Sequence, residues 1–164
     1  MSALDDAEIA ALHAALDDEF QAWATYDQVI RDFGAARPFV NIRDAEARHI
    51  GALARLFERY GLPLPDNTWP GRVPRFESVR HACEAGIAAE VANTALYARL
   101  RAATRRPDIL AVFGNLLEAS QLRHLPAFER CAQRGAGGGP GAGPGAVLGN
   151  GPGGGQRRRR RGCP

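Results

Sequence analysis

Four segments of this chain repeat apolar residues at helical spacing, and the lengths of the connections limit how they can be arranged. The first and last connections, residues 34–37 and 104–106, are short enough to force antiparallel hairpins. The central connection, residues 61–77, is rich in proline and therefore extended, so it can run the length of a bundle. The pattern predicts an all-α four-helix bundle with one long crossover between the second and third helices.

The predicted helices begin and end at ordinary helix signals. Helix A is expected over 5–33 and helix B over 38–60, each followed by a glycine. Helix C is expected over 78–103 and helix D over 107–133. Pro126 lies inside helix D and predicts a kink there.

The composition changes after residue 134. Residues 135–164 are mostly glycine and proline, hold no acidic residue and include the run Arg157–Arg161. Such a segment buries too little to offset the entropy of ordering it. We therefore predict a bundle domain over 1–134 and a disordered tail over 135–164. The arginine run predicts weak, nonspecific anion binding to nucleic acid or lipid, and the alternative is a solubilising tail.

No stretch of the sequence is apolar for long enough to span a membrane. The N-terminus is acidic and lacks the features of a secretory signal, so a cytoplasmic location is expected. Cys83, Cys131 and Cys163 form no CxxC pair and no even-numbered framework. Reduced structural thiols are the expectation for all three.

Each predicted helix places an ionisable side chain on its inward face near mid-helix. These residues are Glu19, Glu46, His49, Glu90 and His124. A buried carboxylate costs several kcal/mol unless it is protonated, paired or bound to a metal. Arg48 and Arg123 each point one step away from the adjacent histidine, so no arginine serves as counter-charge. The pattern predicts a metal site, and its ligand types suit iron, manganese or zinc.

The two halves of the sequence also repeat. Residues 41–49 match residues 115–124 with one inserted residue. In both halves a glutamate is followed seven positions later by a tyrosine, as Glu19 and Tyr26 and as Glu90 and Tyr97. The repeat predicts a pseudo-twofold bundle. The tyrosines are core aromatics, or they hydrogen-bond the ligand carboxylates or donate an electron to the metal.

A glutamate on one helix and Glu-x-x-His on the next, used twice, is typical of ferritin-like di-iron carboxylate proteins. Within them the chain resembles the ferritin-like family labelled domain of unknown function 2202, over about residues 1–133. The resemblance is carried by Ala-Leu-Asp-Asp-Glu-Phe-Gln-Ala (15–22), Arg-Pro-Phe-Val-Asn-Ile (37–42), Ala-Glu-Ala-Arg-His-Ile (45–50) and His-Leu-Pro-Ala-Phe-Glu-Arg-Cys (124–131). It implies bound iron and a ferroxidase or an oxidoreductase that reduces O2 or peroxide; the family label itself supplies no reaction.

Helix D departs from this pattern because it lacks the second Glu-x-x-His. Ser120 and Gln121 stand before His124, and Gln121 is expected to be at most a weak ligand. The site is therefore expected to hold one metal ion well, or two unequally, with the position near Glu19 and His49 the tighter. The alternative is a non-enzymatic structural or binding module, in which the polar cluster is vestigial and binds no metal. A homo-oligomer is compatible with either interpretation.

Overall fold

The computed structural model describes residues 3–136, with side chains for 3–134. All regular elements in these residues are helical. They are α1 (Asp6–Phe33), α2 (Phe39–Tyr60), α3 (Val79–Ala102), α4 (Pro107–Ala119) and α5 (Leu125–Ala136). One π-helical turn, Ser120–His124, joins α4 to α5, and the three pieces take the place of predicted helix D. The predicted all-α four-helix bundle is confirmed.

The first helix begins at a reciprocal cap. The Asp5 side chain accepts a hydrogen bond from the Glu8 amide (2.8 Å), and the Glu8 carboxylate accepts one from the Asp5 amide (3.2 Å). The buried Glu8 also accepts hydrogen bonds from Thr104 and Arg106 in the connection between α3 and α4. The cap therefore ties the start of α1 to the second hairpin.

The bundle core has two apolar halves. One contains Leu12, Leu16, Phe57, Tyr97 and Phe113, and the other contains Tyr26, Val29, Phe39, Cys83 and Phe128. Helix α1 packs mainly on α2, and α3 packs mainly on α5. The two halves meet near mid-helix, which is where the sequence places its ionisable side chains.

The crossover, residues 61–78, contacts α1 at two places. The Trp69 indole donates a hydrogen bond to Asp17 near the middle of α1 (2.8 Å), and Arg75 pairs with Asp32 at its C-terminal end. Val73 is buried between these two contacts. These contacts hold an otherwise irregular segment against the bundle.

The prediction of reduced thiols is wrong for two of the three cysteines. Cys83 on α3 and Cys131 on α5 form a disulfide, with 6.0 Å between their Cα atoms. The two helices approach closely because Gly86 has no side chain, and a Cβ there would lie 2.9 Å from the Phe128 ring. Sequence alone hid the pair because the cysteines lie 48 positions apart and the count is odd. Cys163 lies outside the described residues.

Only residues 135 and 136 of the predicted tail lie within the described residues. Helix α5 extends to Ala136, so residues 135 and 136 belong to the helix and not to the predicted tail. The predictions of disorder and of anion binding by Arg157–Arg161 concern residues beyond the described range. Within residues 3–136, no helix is long and apolar enough to cross a membrane. The cytoplasmic location stays a prediction.

Candidate metal centre

The five ionisable side chains from the predicted inward faces meet in the middle of the bundle. They are Glu19 from α1, Glu46 and His49 from α2, Glu90 from α3 and His124 from the π turn. All but His49 are buried, and His49 is half-buried. The cluster lies between the two apolar halves of the core, where water is largely excluded.

Glu46 lies at the centre of the cluster and contacts both imidazoles. Its Oε2 lies 2.7 Å from Nδ1 of His49, and its Oε1 lies 3.2 Å from Nδ1 of His124. His49 Nδ1 is also 3.1 Å from Glu19, and His124 Nδ1 is 3.5 Å from Glu90. A single carboxylate therefore links two equivalent Glu–His pairs, one from each half of the repeat.

The two tyrosines connect the halves. Tyr97 of the second half donates a hydrogen bond to Oε1 of Glu19 (2.6 Å), and Tyr26 of the first half donates one to Oε1 of Glu90 (3.1 Å). Burial and the nearby carboxylates raise the pKa of both tyrosines well above the ordinary value, so each keeps its proton and remains a donor. Each tyrosine thus orients the carboxylate of the opposite half.

Ser120 occupies the place where a fourth carboxylate would be expected. Both Glu46 and Ser120 stand five positions after the asparagine that opens their repeat. The Ser120 hydroxyl is buried and donates a hydrogen bond to Oε2 of Glu90 (2.5 Å). Gln121, the predicted weak ligand, is exposed and does not line the cluster, so that expectation is not met.

The π turn explains why Ser120, and not Gln121, faces the cluster. The Leu125 amide bonds to the Ser120 carbonyl, five residues back, so the turn takes up the inserted residue of the second repeat. Pro126 favours such a turn because it has no N–H to continue the α-helical ladder. As a result His124 keeps its inward position although it stands four residues after Ser120. Where the sequence predicted a kink at Pro126, the structure has a π turn just before the proline.

Protons balance the buried charges when no metal is bound. Burial and the charge of Glu46 raise the pKa of Glu19 to about 8. Burial would lower the pKa of both imidazoles, but hydrogen bonds and charge from the carboxylates outweigh it and raise the pKa of His49 and of His124 to about 9. Burial would raise the pKa of Glu46, but hydrogen bonds from His124 and His49 lower it to about 2. Two imidazolium ions then lie against the carboxylate of Glu46.

The donor atoms form two overlapping groups that fit metal ions. One is Glu19, Glu46 and His49, and the other is Glu46, Glu90 and His124, with the donor atoms of each group within 4.8 Å of one another. Oxygen and imidazole donors of this kind suit iron, manganese and zinc. Because Glu46 belongs to both groups, it could bridge two ions.

Sequence reasoning missed one residue beside the cluster. Asn93 lines the same small cavity, of about 30 Å³, as the glutamates and histidines. Its Nδ2 donates to Asp18 (2.7 Å), whereas its Oδ1 is the one buried side-chain polar atom without a partner in the described residues. The cavity has room for a water-sized molecule, which could donate to this oxygen. An asparagine one turn from Glu90 carries no sequence signal that distinguishes it from a surface residue.

Comparison with known proteins supports the fold alone. No family model matches the chain, and no curated protein matches it. A crystal structure of hypothetical protein MJ0754 from Methanococcus jannaschii DSM 2661 is similar, with a TM-score of 0.74 and 22% sequence identity. The match covers 83% of this chain and 85% of that chain. This helical arrangement is therefore shared with a protein whose name states no activity.

Proposed function

We propose that this protein binds one or two iron ions at the Glu–His cluster and uses them in a ferroxidase reaction or in the reduction of O2 or peroxide. The observation that carries the proposal is the pair of donor groups that share Glu46. Manganese or zinc would find the same donors acceptable. The proposal includes kinship with the ferritin-like di-iron carboxylate proteins, which the sequence resembles in these residues.

The two positions are not equal. Glu19, Glu46 and His49 would hold the first ion, and their oxygen–nitrogen distances are the shorter, 2.7 and 3.1 Å. At the second position the corresponding distances from His124 are 3.2 and 3.5 Å, and Ser120 already engages Glu90. Without a fourth carboxylate, we expect the second ion to be held more weakly.

Bound iron would supply the electrons and the Lewis acidity for reaction with O2 or peroxide. The protein supplies the surroundings. Tyr97 and Tyr26 fix the outer oxygens of Glu19 and Glu90, and both hydroxyls keep their protons. The apolar halves of the core limit access of water, which strengthens the attraction between charges at the centre.

The size of the cavity favours a small co-substrate. At about 30 Å³ the space beside the cluster takes one or two water-sized molecules. Pockets for organic molecules are typically ten or more times larger. O2 and hydrogen peroxide fit this limit, and an organic substrate inside this cavity does not.

A metal-free structural module is the second candidate, and one observation favours it. All three glutamate side chains are hydrogen-bonded to protein groups without any metal, and both imidazolium ions contact Glu46. In this case the cluster would fix the register of the four helices and carry out no reaction.

Metal loading and iron oxidation test the two candidates. The full chain, without a His-tag, is loaded anaerobically with Fe²⁺, desalted, assayed for metal and mixed with O2 in a stopped-flow spectrometer. The wild type should retain at least one ion and show an O2-dependent absorbance change. Glu46→Gln should lose most of the metal, whereas Glu58→Gln, at an exposed position on the same helix, should behave as the wild type. A wild type that retains no metal would favour the structural module.

A further inference from the structure

A second, larger cleft lies on the outer side of the two histidines. It has a volume of about 290 Å³ and is lined by Asn41, Ala45, Arg48, His49, Ala119, Arg123 and His124. No acidic residue is among them. His49 and His124 line both this cleft and the inner cavity, so the two imidazoles separate the cleft from the glutamates.

Two arginines related by the internal repeat give the cleft its charge. Arg48 directly precedes His49, and Arg123 directly precedes His124. Both are exposed, and neither makes a hydrogen bond or an ion pair with any of the described residues. Arg43, on the same helix as Arg48, by contrast pairs with Asp27 and Asp44. Two unpaired guanidinium groups on one cleft repel each other, and an anion between them removes that repulsion.

The histidines offer further donors to the same cleft. Each uses Nδ1 to contact the carboxylates, and the described residues provide no acceptor for either Nε2. A histidine that binds a metal through one nitrogen ordinarily donates its other N–H to an acceptor. The role of these Nε2 donors rests on the proposed function, whereas the role of the two arginines does not.

We propose that this cleft binds a phosphate group, held between Arg48 and Arg123 with the Nε2–H groups of His49 and His124 as additional donors. Guanidinium groups bind phosphate oxygens in a bidentate manner, and a dianion matches two fixed positive charges. The cleft is larger than a phosphate ion alone, so the phosphate of a small monoester also fits. A phosphate there contacts the metal ligands from outside without competing for the metal.

Titration of the metal-free full chain with inorganic phosphate tests the arginine part. We expect saturable binding by the wild type, at least fivefold weaker binding by Arg48→Gln and by Arg123→Gln, and none detectable at this site in the double variant. Arg55→Gln is the matched control, because Arg55 is exposed on α2 two turns beyond Arg48. Its affinity should stay within twofold of the wild type. The Arg157–Arg161 run is the same in all variants, so its contribution cancels.

Imidazole ¹⁵N spectra supply a local readout. Phosphate should shift the Nε2 signals of His49 and His124 in the metal-free and in the zinc-loaded wild type, and not in the double variant. Glycerol phosphate in a parallel titration distinguishes an esterified ligand from free phosphate by its relative affinity. Equal phosphate affinity in the wild type and the double variant, or an equal loss in Arg55→Gln, overturns the proposal. A chain that binds phosphate in this way but no metal contradicts only the proposed function.

Discussion

Binding of two metal ions at the cluster should release about three protons per molecule at pH 7. In the metal-free protein Glu19, with a pKa of about 8, and both histidines, with a pKa of about 9, hold their protons at this pH. Two bound ions need the lone pair of one Nδ1 atom each and a charged Glu19, so these three protons must leave. Glu46, with a pKa of about 2, has none to give.

Calorimetry in buffers of different ionisation enthalpy measures the number of protons that metal binding releases. The observed heat of Zn²⁺ binding changes linearly with the buffer enthalpy, and the slope is the number of protons released. The slope should be close to three at pH 7 and should decrease as the pH rises towards 9, where the groups are already losing their protons. Zinc avoids the oxidation that would complicate the measurement with iron.

Glu19→Gln should release about one proton fewer than the wild type, because the amide carries no titrating proton in this range. Glu58→Gln, at an exposed position, should leave the slope unchanged. Release of fewer than one proton by the wild type would contradict this prediction, because the imidazoles would then be neutral before the metal binds. A slope that does not depend on pH would refute it equally.

Three further predictions follow from the same contacts. The free energy of unfolding of the metal-free protein should fall by several kcal/mol as pH rises from 6.5 to 9, because the folded histidines retain protons that the unfolded chain has lost. Urea titrations at both pH values measure this free energy. Ser120→Glu should strengthen binding of a second metal ion, whereas Gln121→Glu should not. The metal content of each variant after dialysis measures this difference. Equal effects of the two substitutions would contradict the inward position of Ser120. Reduction of the Cys83–Cys131 disulfide should lower stability by about 2–4 kcal/mol, as measured by urea unfolding with and without reductant.

The helices could be predicted from the sequence because local signals and apolar spacing agree. Asp5, Gly61 and Ser78 mark the same helix ends in the sequence and in the structure. The long crossover followed from proline content and from the short connections on either side. The predicted inward positions of the glutamates and histidines also agree with the structure, because a charged side chain on an apolar seam has few other places to lie.

The register of the last helix could not be predicted, because an inserted residue can be absorbed in more than one way. A continuous α-helix would leave the inward position before His124 undecided between Ser120 and Gln121. The π turn places Ser120 inward, and it depends on packing against α3 as well as on Pro126. The disulfide was missed for a related reason, since it depends on how closely α3 and α5 approach at Gly86.

Anomalous diffraction from crystals of the iron- or manganese-loaded protein would locate the metal ions themselves. We expect a strong peak among Glu19, Glu46 and His49, and a weaker one among Glu46, Glu90 and His124. Ligand distances of about 2.0–2.3 Å are expected for such donors. Peaks only at surface carboxylates, with the Glu46 contacts to both histidines unchanged, would contradict the account and leave a metal-free network at the centre of the bundle.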